Sequence, residues 1–183
     1  MDNLDQSLVK RFLRTRDDTS FRLLYRRHTP TLYPLAIRLV GGAESDAQDA
    51  IQEMWIRACK SLERFEWKSS LRTWLTGILI NRLREVNREQ WRWHEEQYPD
   101  NGFGDGAAPN NQPDSGRASI DLEQLITRLS AGYRQVLVLH DIEGYTHDEI
   151  GALLEISAGT SKSQLYHARR ALRAMLQTET RLP

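Results

Sequence analysis

The sequence predicts an all-α protein made of two small helical domains joined by a flexible linker, the C-terminal one containing a helix-turn-helix. Apolar residues recur at three- and four-residue spacing on both sides of one stretch rich in Gly, Pro, Asn and Asp, and no segment alternates like a strand. Near the C-terminus a short, well-capped helical segment is followed by a longer basic one. The 183 residues carry 25 basic and 25 acidic side chains, so total charge does not signal a nucleic-acid partner. Its distribution is more informative: residues 1–93 hold 17 basic and 12 acidic groups, 94–117 hold 1 and 5, and 118–183 hold 7 and 8. The single Cys59 excludes an internal disulfide and a multi-cysteine zinc site. No apolar run approaches membrane-spanning length and Met1–Lys10 has no charged-then-apolar leader, so the chain is expected in the cytoplasm, without membrane insertion.

Within residues 1–93, Ala47, Ala50, Ile51, Met54 and Ala58 mark the buried face of a helix over Asp46–Cys59. Asp46, Asp49 and Glu53 lie opposite, beside Gln52, a surface suited to a basic helical partner or to solvent. A second stripe follows in Leu71, Trp74, Leu75, Ile78, Leu79, Leu83 and Val86. Around it Trp67, Trp74, Trp91 and Trp93 interleave with Lys68, Arg72, Arg82, Arg84, Arg88 and Arg92. Rings stack on exposed bases and cations track phosphates, which suits opened nucleic acid, although Trp74 also fits a core position.

Residues 94–117, "HEEQYPDNGFGDGAAPNNQPDSGR", read as the linker. Residues 118–183 form the second domain, whose helical segments reach "EGY" and stop where Gly144 can turn left-handed. The stretch "HDIEGYTHDEI" has the letters of a metal site, but Thr146 and Glu149 make a capping box, Asp148 suits the first turn, and His147 reads as an exposed first-turn side chain. No metal is expected. A second helix from about Ala158 has apolar or small residues at 158, 161, 165, 168, 172 and 175, leaving Lys162, Tyr166 and Arg170 in one outward row and Ser163 and His167 in the next. Between Gly159 and Arg173 it carries four basic residues and no acid, as a phosphate-facing helix would. From these residues alone, a stand-alone helix-turn-helix regulator and a metal-dependent phosphohydrolase on His140, Asp141, His147 and Asp148 stay open.

The segments "DAQDAIQEMWIRACKSLERF", "SSLRTWLTGILIN" and "LSAGYRQVLVLHDIEGYTHDEIGALLEISAGTSKSQLYHARRALRAML" together resemble bacterial sigma factors of the extracytoplasmic-function group. The resemblance implies a non-enzymatic initiation factor that needs no cofactor, binds core RNA polymerase, directs it to promoter DNA and is restrained by an anti-sigma factor. It assigns core binding to Asp49, Gln52 and Glu53, which match the family's "DxxQE", and contact with the melted minus-ten strand to Trp74 and Asn81, with the adjoining Arg82. Lys162, Ser163, Gln164, Tyr166, His167 and Arg170 take the positions that read the minus-thirty-five element. Several residues depart from the pattern. Ser161 stands where a branched apolar residue is frequent and is expected to lose buried packing. Gln164 and His167 replace frequent arginines, and Glu155 replaces a glycine frequent in the turn.

Overall fold

The computed structural model describes the backbone of residues 3–97 and 122–180 and the side chains of 3–86 and 122–178. Among these residues all regular structure is helical: α1 (Asn3–Thr15), α2 (Asp18–Val40), α3 (Glu44–Ser61), α4 (Leu71–Gln97), α5 (Leu122–Thr127), α6 (Ala131–Leu137), α7 (His147–Leu154) and α8 (Ala158–Thr180). The expected helix over 46–59 is α3, and the 71–86 stripe is the start of α4. That helix continues beyond Trp93 to Gln97, into the segment expected as linker. The rest of the linker, and the side chains of Arg88, Trp91, Arg92 and Trp93, lie outside the described residues.

Local chemistry sets the helix ends. Asp17 caps α2, its carboxylate accepting from the Ser20 amide at 2.8 Å and from the Thr15 hydroxyl at 2.6 Å, which together hold the carboxyl down to about 2. Pro30 and Pro34 both lie inside α2, where their rings face solvent. α1 is fastened to α2 by the buried Asp5 carboxylate, which accepts from Arg27 at 3.0 Å and His28 at 3.1 Å. α3 packs through Trp55, whose ring meets Phe21 edge-on at 5.6 Å while its Nε1–H donates to Thr29. Ser70 caps α4 by accepting from the Thr73 amide.

α6 runs into a π turn over Val138–Ile142, closed by Glu143 N–H donating to Val138 O. The chain then turns at Gly144, left-handed as expected with φ 77°, and enters α7 through the Thr146/Glu149 capping box. α7 and α8 make the helix-turn-helix. Between them Glu155 adopts φ 54°, the left-handed conformation that its position asks of glycine. Their close approach depends on Gly151: a Cβ there would stand 2.8 Å from the Ile156 carbonyl oxygen.

One apolar core runs through α1–α4 and on into α5–α8, taking in Leu35, Leu39, Leu79, Ile126, Leu129, Val136 and Ile150. Polar contacts reinforce the join. The guanidinium of buried Arg134 on α6 donates to Leu39 O at the end of α2 and to Thr127 O and Leu129 O at the end of α5. Gly41, with φ 79°, passes against that guanidinium, leaving 2.9 Å where a Cβ would be. Arg38 forks onto Glu123, Arg72 pairs with Glu143 at 2.7 Å, and Arg84 pairs with Glu155 at 2.7 Å.

Two glycines give opposite expectations for the same substitution. Gly151→Ala should destabilise the protein by about 1–3 kcal/mol, because the new methyl meets a backbone carbonyl. Gly77→Ala meets only Leu153 at 3.6 Å, an ordinary contact, and should stabilise α4 by up to about 1 kcal/mol. Urea unfolding of the two variants beside wild type checks both signs.

Candidate nucleic-acid interface

The outer face of α3 presents Asp49 and Gln52 to solvent. Glu53 is less free than expected: it accepts from Arg57 one turn on, and Arg57 in turn forks onto Glu85 of α4. Gln52 stands at the rim of an open groove of about 650 Å³ between α2 and α3, lined by Tyr25, Tyr33, Trp55 and Ile56. Tyr25 and Ile56 are each 40% exposed. α3 thus offers a carboxylate and an amide beside apolar and aromatic surface, a mixture that suits a basic amphipathic helix.

On α4, Trp74 and Asn81 are seven residues apart, two helical turns, and so share one side of the helix about 10 Å apart. Trp74 is half-buried and stacked on Phe65 at 4.8 Å, and Phe65 also meets the Trp67 ring at 4.7 Å. Its ring is therefore committed largely to packing. Asn81 is exposed, with an amide able to pair with the edge of an unstacked base. Arg82 points about 100° away around the helix, 3.8 Å from Glu85, and does not join that face. The strip of α4 next to Asn81 is covered by α7: Leu153 packs at Gly77, and Arg84 is held by Glu155.

On α8, Lys162, Ser163, Tyr166, His167 and Arg170 are all exposed, forming the expected outward rows. Tyr166 is 65% exposed. His167 stacks on Tyr133 at 6.0 Å and meets Tyr166 edge-on at 5.4 Å. Gln164 departs from the expectation: it is half-buried and turns toward α6, its Nε2 3.5 Å from where a Gly132 Cβ would lie. Four of the five residues over 162–167 that the resemblance assigns to upstream DNA are thus displayed together.

Two expectations are corrected. Ser161 is fully buried, but its hydroxyl is bonded to His147 Nδ1 at 2.9 Å, so the polar atom is satisfied and the position is not simply an eroded apolar contact. For the same reason His147 is not an exposed bystander. It is half-buried and stacked on His140 at 4.6 Å. The capping box itself stands as expected: Glu149 N–H donates to Thr146 Oγ1, and Thr146 N–H donates to Glu149 Oε2 at 2.8 Å. Among the described residues no three His, Cys, Asp or Glu side chains converge as metal ligands, and no helix is long and apolar enough to cross a membrane.

Sequence reasoning missed the residues that join the two halves. Arg134 carries no motif, and Glu155 stood out only as a replacement for a glycine in the turn. The one available signal was Gly77, because glycine within an apolar helical stripe marks a close approach.

Loss of the cap is measurable. Thr146→Ala should lower the unfolding free energy by about 1 kcal/mol at neutral pH. The bonds from Thr146 depress the Glu149 carboxyl below its ordinary range, so its contribution is present above that range and lost as pH falls through the depressed value. The difference in unfolding free energy between wild type and Glu149→Gln should therefore shrink as pH falls below the ordinary carboxylate range.

Comparison with known proteins agrees with this geometry. The family profile "Sigma-70 region 2" matches residues 24–92, and "Sigma-70, region 4" matches residues 119–172. The chain is 32% identical over 157 residues to the ECF RNA polymerase sigma factor SigE of Mycolicibacterium smegmatis, an alignment covering 84% of this chain and 60% of that protein. It is 29% identical over 178 residues to the ECF RNA polymerase sigma-E factor of Escherichia coli, covering 92% of each. Its fold is similar to that of the sigma factor RpoE of Bartonella quintana, solved in complex with the anti-sigma factor NepR, with a TM-score of 0.63 at 24% identity over 86% of this chain and 96% of that one. With both sigma-70 regions in order along one chain, separated by the acidic connector, this protein belongs to the sigma-70 family of RNA polymerase sigma factors, in its extracytoplasmic-function group.

Proposed function

We propose that this chain binds core RNA polymerase through the Asp49/Gln52 face of α3 and the adjoining α2/α3 groove, holds the opened minus-ten strand at Asn81, and reads the minus-thirty-five element with α8. It works by binding, with no covalent chemistry of its own, in the cytoplasm. The observation that carries the reading is the combination in one chain of an acid-and-apolar α3 face, an exposed amide on α4 and a helix-turn-helix with its polar face displayed. A stand-alone regulator would need only the last of these. A phosphohydrolase centre is disfavoured because His140 and Asp141 bond to each other, Arg169 clasps Asp141, and His147 bonds Ser161. By extension from RpoE, which was solved with an anti-sigma factor, the same surfaces serve as the target of an anti-sigma partner.

The packed arrangement is the resting one. Two promoter elements about 25 base pairs apart lie about 85 Å apart along B-form DNA. A compact chain of this length is only about 40 Å across. The two halves must therefore separate to engage both elements. The connector of 24 residues between Gln97 and Leu122 can extend to at most about 80 Å, which is enough once DNA bending and the size of each half are included. Separation also uncovers the strip of α4 beside Asn81 that α7 occupies.

The deciding experiment pairs two variants. Asp49→Lys should weaken binding to core polymerase at least about tenfold through like-charge contact, with the helix content of the free chain unchanged. Asn81→Ala should bind core polymerase normally and reduce permanganate reactivity of promoter thymines. Unchanged binding by the first would remove α3 as the polymerase surface, and unchanged reactivity in the second would remove Asn81 as a strand contact.

A further inference from the structure

Five side chains form a closed path that begins and ends on α8. The Ser161 hydroxyl, in the first turn of α8 and fully buried, meets His147 Nδ1 at 2.9 Å. The His147 ring, at the start of α7, stacks on His140 of the π turn at 4.6 Å with the planes 27° apart. His140 Nδ1–H donates to Asp141 Oδ1 at 2.8 Å. Asp141 then receives both arms of Arg169, Nη2 at 2.6 Å and Nε at 3.0 Å. Ser161 and Arg169 are eight residues apart on α8, about 12 Å along its axis, so the helix is held at two separate points. Around α8, Arg169 borders the row of Lys162 and Tyr166 that faces outward.

We propose that His147 and His140 are positioning residues for the recognition helix, fixing the angle at which α8 is presented to upstream promoter DNA and making that presentation dependent on pH. The proposal rests on the sigma-factor reading for its functional half. The geometry specifies what protonation would do. The stacked rings are compatible with their setting, whereas an imidazolium at His147 would lie against the His140 ring and beside Lys162 and Arg169, with Asp148 alone favouring it from α7. Burial first, then the charges of His140, Lys162 and Arg169, pull the His147 group below its ordinary value. The unfolded chain therefore binds the proton more readily than the folded one. The stabilisation is complete above the ordinary histidine range and is lost as pH falls through that range toward the depressed value. His167, exposed on the DNA-facing side of α8, is a second histidine there.

The arrangement also accounts for one departure from the family pattern, the serine at 161. A serine at 161 in an apolar seam would ordinarily leave a hydroxyl without a partner. Here the histidine at 147 supplies it, so the two residues act as a matched pair.

The test has two arms on the full-length chain. In the first, NMR titration of the free protein should place the His147 ring below an unperturbed histidine and show it moving when Ser161→Ala or Asp141→Asn is introduced. A normal His147 titration, unmoved by either change, would overturn the network. In the second arm, holoenzyme made with the full chain is assayed on a promoter with an intact and with a scrambled minus-thirty-five element, and the ratio of transcripts is read in a His167→Gln background, which cancels the polymerase's own pH response and removes the second histidine. That ratio should fall as pH is lowered from about 7.5 through the ordinary histidine range toward about 5.5. His147→Asn, whose amide can still bond Ser161 but does not titrate, should keep the ratio at the higher pH and flatten its pH dependence, while His147→Ala should lower it throughout. A profile for His147→Asn that parallels the parent, or a parent ratio constant with pH, would overturn the positioning role. Absence of any specific transcript at every pH would instead overturn the sigma-factor reading and with it the functional half, while the NMR arm still decides whether the network exists.

Discussion

The closed arrangement depends above all on where Arg134 puts its charge. A guanidinium cannot shed its proton in the range where proteins live, so burying one is costly unless its donors are occupied. Among the described residues Arg134 meets no carboxylate; it donates to the carbonyls of Leu39, Thr127 and Leu129. Those oxygens lie where α2 and α5 end, and unpaired carbonyls concentrate partial negative charge at a helix C-terminus. One side chain therefore satisfies helix ends from both halves of the chain, and burial lowers the guanidinium's proton affinity without removing its charge. Gly41 is the counterpart, since its left-handed conformation closes α2 and its missing side chain leaves space for the guanidinium.

Around that point the contacts change character. The Arg38–Glu123, Arg72–Glu143 and Arg84–Glu155 pairs lie nearer solvent, where each contributes little and is weakened by salt. Glu155 is the informative one. Its left-handed backbone carries a strain that glycine would avoid, and its carboxylate is what reaches Arg84. A joint built from one buried cation, a continuous apolar seam and several salt-sensitive pairs can hold the free chain closed and still yield to a larger binding surface.

Much of the architecture was legible where one residue pattern had one structural meaning. The α3 and α4 stripes, the Thr146/Glu149 box and the outward rows of α8 all depend on neighbours within a turn or two, and local spacing encodes them. α2 contains Pro30 and Pro34, residues that usually end a helix; both rings face solvent, where the carbonyls they free can be hydrated. Arg134 was illegible because its partners are backbone oxygens, Leu39 O being 95 positions away, and backbone has no residue signature. His147 was misread for a subtler reason. The capping box explained its surroundings completely, and nothing local hinted at Ser161 across the turn. Gln164 was assigned to DNA by resemblance and not by spacing, and the glycine at 132 gives it room to fold back on α6.

On the proposed reading, one chain stores its two promoter-reading faces in a closed body and separates them on the polymerase. The most direct measurement is the distance between fluorophores placed at Thr31→Cys on α2 and Ala174→Cys on α8, both exposed, in a Cys59→Ala background. Single-molecule energy transfer should give one narrow, short distance in the free chain and a distance tens of ångströms longer in the promoter-bound holoenzyme, in keeping with elements about 85 Å apart. A free chain that already samples the long distance, or a promoter complex that keeps the short one, would contradict the account.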